Sequence, residues 1–192
     1  ILRDPSVDAA VMEVARGGML RSGLGFPETN VSACLNVTAD HLGLSGIDTL
    51  EQLAEVKRVP IEIAKDAAIL NADDALCLQM ADYTDAERLC YVTVNPGHPL
   101  VKQHIRAGGQ AFVLEQGMNG DMITIYDNGT HIPLLWTHLV PATLEGKAIH
   151  NVQNAMFAAG LAYSMGKSLE DIRHGLRTFT TNFFQSPGRM NI

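Results

Sequence analysis

Cysteine is scarce in this chain of 192 residues, and its three copies, Cys34, Cys77 and Cys90, stand far apart with no C-x-x-C pair among them. That excludes a disulfide framework and a zinc ribbon. Each cysteine sits in or beside an apolar segment, so buried free thiols in a reducing cytoplasm are expected. Positive charge is also short, with 14 Lys and Arg against 21 Asp and Glu and a net charge of −7. A dedicated nucleic-acid surface needs a clustered excess of cations and is not expected. No apolar run approaches the roughly 18–20 residues that a bilayer-spanning helix requires. The start, Ile1-Leu2-Arg3-Asp4-Pro5, has the character of neither a signal nor a transit peptide and reads like the middle of something. The phosphate-cradling pattern G-x-x-x-x-G-K-[ST] occurs nowhere, so the glycine-rich stretch Arg16 to Gly25 is not a Walker A loop. Its two arginines, Arg16 and Arg21, suit an anion or carboxylate contact. Repeats, linkers and low-complexity tracts are absent as well.

What is present is the composition of an ordinary globular domain, 46% hydrophobic and 18% charged. Short apolar runs predict strands at Val7–Val14, Val31–Val37, Ala67–Asn71, Arg88–Val94 and Ala111–Glu115. Helical stretches at about 48–59, 73–81 and 99–107 separate most of them, which predicts an α/β fold with a largely parallel sheet and crossover helices. Met122–Tyr126 and His131–Trp136, joined through Asp127-Asn128-Gly129, predict an antiparallel hairpin with an Asn-Gly turn. The last third is helical: Val152, Ala155, Met156, Ala159 and Tyr163 form one face, Gly166 supplies a stop, and Ser168 with Asp171 opens a final helix.

In open parallel sheets, ligands bind beyond the carboxyl ends of the strands. The first three runs end at Glu13, at Asn36-Val37-Thr38-Ala39-Asp40-His41 and at Asn71-Ala72-Asp73-Asp74. If those strands are neighbours, carboxylates, a His-Asp pair and an amide converge on one edge, a set suited to a hard cation bridging phosphates. Asp40 and Asp73 also suit simple helix caps. Lys57 falls on the apolar stripe of Leu50, Leu53 and Ala54, so it faces inward or snorkels to water. His150-Asn151-Val152-Gln153-Asn154 opens the long helix; an asparagine amide there can pair with an adenine edge or serve as a cap. Pro187-Gly188-Arg189 follows the last helix in a hinge-like segment.

Taken together, Glu13, Asn36-x-x-x-Asp40-His41, Lys57, Asn71-Ala72-Asp73-Asp74 and His150-Asn151-x-x-Asn154 resemble the central ATP-binding domain of the Mur ligase family, and much of the scheme is shared by folylpolyglutamate synthases. The resemblance spans nearly the whole chain. It implies a P-loop-NTPase-like domain over residues 1–180, a hinge at 181–192, and a domain incomplete at both ends, with the Walker A loop before residue 1 and a C-terminal domain after Ile192. It further implies an ATP-dependent ligase that makes amide bonds through an acyl phosphate, with ATP and Mg²⁺ as cofactors. Arg3-Asp4-Pro5-Ser6-Val7-Asp8, Ala15-Arg16-Gly17-Gly18 and Ser186-Pro187-Gly188-Arg189 resemble the branch that adds arginine to aspartate side chains of a poly-aspartate backbone and assembles as homo-oligomers.

Carried over residue by residue, Glu13 and His41 match metal ligands, and Lys57 the lysine often carbamylated to hold a second magnesium. Asn36 and Asn71 match nucleotide-site positions, Asn151 and Asn154 adenine-facing ones, and Arg189 an arginine near the phosphates. A piece without its Walker A strand is expected to be inactive and poorly stable alone, because unpaired strand edges are exposed. Three alternatives stay open: a relative using another amino acid or a dipeptide, a non-catalytic nucleotide-binding or scaffold module, and a metallohydrolase using Glu13, Asp40 and His41.

Overall fold

In a computed structural model, which describes residues 4–39, 42–43 and 46–180, the chain builds on a six-stranded sheet whose spatial order follows the sequence, β1 to β6. β1 (Thr29–Cys34), β2 (Ala64–Asn71), β3 (Arg88–Thr93) and β4 (Gln110–Gly117) run parallel. β5 (Gly120–Asp127) and β6 (Thr130–Trp136) add an antiparallel hairpin. Its two-residue turn puts Asn128 (φ 49°) and Gly129 (φ 76°) in the left-handed region, the pair of residue types that tolerates it best. The expected sheet and hairpin are both present.

Alternation along the strands divides the core in two. Ile69, Cys90, Val92, Phe112 and Leu114 point to one face, where they pack with α5 (Ile149–Ser164) and α6 (Leu169–Thr178). Ala68, Leu70, Tyr91, Ala111 and Val113 point to the other, beneath α2 (Leu50–Glu62), α3 (Ala75–Gln79) and α4 (Pro99–Arg106). Both faces of β2 are therefore covered, and its residues from Ala67 to Asn71 are all buried, with Ala67 to Leu70 forming an unbroken apolar run. Phe112 and Phe157 are essentially fully buried, each stabilising the fold by roughly 1.5–3 kcal/mol through removal of apolar area from water. Gly160 of α5 faces the sheet, and a Cβ there would meet Ile69 Cδ1 at 3.4 Å, an ordinary van der Waals contact.

Local sequence sets the helix ends. Thr49 and Gln52 form a reciprocal capping box at the start of α2, which then continues through Pro60 to Glu62. Ser168 caps α6 by accepting from the Asp171 N–H, and Gly166 turns the chain out of α5 with φ 75°.

One expectation fails. Residues 7–14 form no strand, and Val11 is 93% exposed. An apolar run becomes a strand only where a neighbour takes its N–H and C=O groups, and periodicity cannot supply that neighbour. Within the glycine-rich stretch, Arg16–Ser22 forms the short helix α1, which rests on α2. None of the helices among the described residues is long and apolar enough to cross a membrane.

Candidate functional site

The carboxyl ends of β1, β2 and β3 meet the amino ends of the crossover helices, and the polar residues of the chain's middle gather there. Asn71, the last residue of β2, is buried and at its centre. Its Nδ2 donates to the Leu35 carbonyl beyond β1 at 2.7 Å. Its Oδ1 accepts from the Asp73 N–H at 2.9 Å and from Gln153 Nε2 of α5 at 3.2 Å. One amide thus joins the end of β1, the loop after β2 and the helix on the opposite face.

The two aspartates after β2 divide the work between them. Asp74 is the cap of α3: Oδ1 accepts from the N–H groups of Leu76 and Cys77 at 3.0 Å each. Its Oδ2 reaches across to the Val37 N–H at 2.8 Å, stapling the segment after β1 to α3. The cap expected of Asp73 therefore belongs to Asp74. Asp73 instead accepts from Thr93 Oγ1 and from the Val94 N–H at 2.7 Å, fixing the exit of β3. Asp73 is positioned for this because the chain turns sharply at Asn71, whose side chain holds the Asp73 amide.

Lys57 occupies the stripe predicted for it. It is half-buried on α2, and Nζ donates to the Asn36 carbonyl at 2.8 Å, just past the end of β1. Asn36 is exposed beside it. At the start of α5, Asn154 is exposed, whereas Asn151 turns back so that Nδ2 donates to the Ala142 carbonyl at 2.7 Å. The α5 cap position is Ala148, so Asn151 is not the cap. Glu13 lies exposed in the segment before α1 and not at a strand end. His41, Asp40 and Arg189 lie outside the described residues.

The structure thus brings together Asn36, Lys57, Asn71 and Asp73, the last two being held by protein groups. Gln153 and Thr93 were not singled out by the sequence. Gln153 stands inside the His150–Asn154 run, and only the packing of α5 across the sheet brings it to Asn71. A separate cleft of about 210 Å³ lies on the α4 side, between Lys102 and Arg106 of that helix and Glu115 and Tyr126 of the hairpin sheet. Burial alone would raise the Glu115 carboxyl, but hydrogen bonds from Tyr126, His131 and Thr124 outweigh it and hold it below the ordinary value.

The β1–β3 rim can hold a polar, phosphate-bearing ligand: helix amino ends, an ammonium group and side-chain amides converge, and they favour anions and directional hydrogen bonding. No group of three or more His, Cys, Asp or Glu suited to a metal stands among the described residues. A magnesium ion riding on nucleotide phosphates needs only one or two protein ligands, so the rim is compatible with it.

The chain is 45% identical over 194 residues to the cyanophycin synthetase of Synechocystis sp., an alignment covering 100% of this chain and 22% of that protein. It is 46% identical to that of Trichormus variabilis, covering 100% and 21%. The chain therefore spans about a fifth of the length of these curated relatives. A UDP-N-acetylmuramoylalanine–D-glutamate ligase of Desulfitobacterium hafniense is 29% identical over 78% of the chain and 29% of that protein. Among solved structures, MurF from Acinetobacter baumannii superposes with a TM-score of 0.49 at 20% identity, covering 84% of this chain and 33% of that one. The model of the Mur ligase middle domain matches residues 2–162, which is most of the chain, and the chain accordingly belongs to the Mur ligase family as its middle domain.

Proposed function

We propose that this domain holds ATP for a ligase that joins a carboxylate to an amine through an acyl phosphate, and that the intact protein adds arginine to aspartate side chains of a poly-aspartate backbone. The observation that carries the reading is the similarity, along the whole of this chain, to about a fifth of the length of cyanophycin synthetases, combined with a polar rim at the carboxyl edge of the parallel sheet. In such a reaction a carboxylate oxygen of the acceptor attacks the γ-phosphorus and ADP leaves. The amine then attacks the acyl carbon, phosphate leaves, and the amine gives up a proton as the amide forms. Catalysis of this kind rests on positioning and on neutralising charge.

The residues divide into those that face the ligand and those that build the edge. Asn36 and Asn154 are exposed and suit nucleotide contacts, with Asn154 toward the adenine. Asn71 and Asn151 serve chiefly by holding the backbone that surrounds the nucleotide, since their amides are committed to protein carbonyls. Glu13 and His41 would hold magnesium, Lys57 would do so after carbamylation, and Arg189 would approach the phosphates. Magnesium would supply charge neutralisation at the γ-phosphate.

The test uses the intact protein with Mg-ATP, an aspartate-backbone primer and one amino acid at a time, reading phosphate release. Release with arginine, lost in Lys57→Ala, is the expected result. Release only with another amino acid or a dipeptide would move the chain to a related ligase. ATP binding without release under any condition would make it a non-catalytic nucleotide-binding module.

A further inference from the structure

We propose that Cys34 and Cys77 form a thiol–disulfide site, a dithiol that peroxides convert reversibly to a disulfide. Cys34 is the last residue of β1 and Cys77 lies in the first turn of α3, yet their sulfurs are 3.5 Å apart in the apolar layer beneath the helices. A disulfide bond is about 2.05 Å long, so the sulfurs must close by about 1.5 Å. Both thiols are otherwise held firmly: β1 pairs with β2, and α3 is anchored by the Asp74 cap, whose second oxygen grips Val37 three residues beyond Cys34.

The two thiols are not equivalent. Both are buried, Cys34 at 6% exposure and Cys77 at 0%. The S–H of Cys77 points at Cys34. That contact holds the Cys34 thiol below its ordinary value, whereas the same contact and burial push Cys77 up. The chemistry then runs in two steps. The Cys34 thiolate attacks one peroxide oxygen, the O–O bond breaks, and hydroxide leaves as Cys34 becomes a sulfenic acid. The Cys77 sulfur attacks the sulfenic sulfur, the S–O bond breaks, and water leaves with the Cys77 proton. Two thiols and one hydrogen peroxide give one disulfide and two waters. This inference does not depend on what binds at the rim.

The third cysteine is an internal control. Cys90 is fully buried on the opposite face of the sheet, and no other described cysteine touches it. The intact protein is treated with hydrogen peroxide, alkylated, and digested without reductant for peptide mass spectrometry. The expected product is a peptide pair joined through Cys34 and Cys77, two hydrogens lighter than the separate thiols and released by dithiothreitol, while Cys90 stays a thiol. In Cys77→Ser, Cys34 should stop at the sulfenic acid and be captured by dimedone. Separate oxidation of Cys34 and Cys77 without the joined peptide would overturn the proposal. So would a pair no more reactive than Cys90.

Discussion

Replacing Asn71 by alanine distinguishes a residue that builds the carboxyl edge from one that touches the ligand. The substitution deletes three hydrogen bonds, to the Leu35 carbonyl, the Asp73 N–H and the Gln153 amide. A typical internal hydrogen bond contributes about 1 kcal/mol net, and a buried polar group left unpaired costs about 1–3 kcal/mol. Leu35 and Gln153 are only half-buried and Asp73 is exposed, so water can take over part of their bonding. The expected loss is therefore about 2–3 kcal/mol, or a rise of roughly 30- to 150-fold in local opening. Hydrogen exchange in the intact protein should show it at amides in 35–37 and 73–77, with amides of β4 and β5 unchanged. Asn71→Asp is the sharper companion: it keeps the Oδ1 that accepts from Asp73 and Gln153 but sets a carboxylate oxygen against the Leu35 carbonyl, now 2.7 Å from Nδ2, so its loss should be at least as large. Unchanged exchange in Asn71→Ala together with abolished ATP binding would refute the reasoning, because it would mean that the side chain serves the ligand directly.

Gly160→Ala should stabilise the domain by about 0.5–1 kcal/mol in denaturation experiments, since the helix gains propensity and the new methyl meets Ile69 and Phe112 at contact distances of 3.4–3.6 Å; destabilisation would show that α5 cannot yield even slightly. Gly109→Ala should cost about 1–3 kcal/mol by the same measurement, because its Cβ would fall 2.3 Å from His104 Nε2 in a ring already bonded to the Leu89 carbonyl. Glu115→Gln should flatten the acid side of the stability profile. The folded carboxyl lies below its ordinary value of 4.5, so its contribution is complete above that pH and is lost as pH falls through the folded value. On the alkaline side the sign reverses. Tyr126, pushed up to about 12 by burial and then by Glu115, contributes stability below its ordinary value of 10.0 that is lost as pH rises toward 12. An acid limb unchanged in Glu115→Gln would refute the network's role.

Much of the architecture follows from the sequence alone. The apolar runs of β2, β3 and β4 have the length of strands and lack polar breaks, as strands buried on both faces must, and the Asn-Gly turn and the Ser168 cap are local devices that need no distant partner. Lys57 was legible for a similar reason: helical periodicity fixes which face a residue occupies, whatever that face later meets. The recurring order of polar residues carried the family resemblance.

Tertiary structure decided the rest. Residues 7–14 carry a strand's composition but form no strand, because pairing is a property of two segments and a sequence window contains only one. The exchange of roles between Asp73 and Asp74 turned on the distance to Val37 and Thr93, set by the strand register. Asn71 joins Leu35 to Gln153, and Cys34 faces Cys77, only because β1, α3 and α5 converge on one corner. Local sequence fixes periodicity and the chemistry of the ends, since those energies arise between near neighbours. Which distant groups share a hydrogen bond or a sulfur contact depends on how the layers pack.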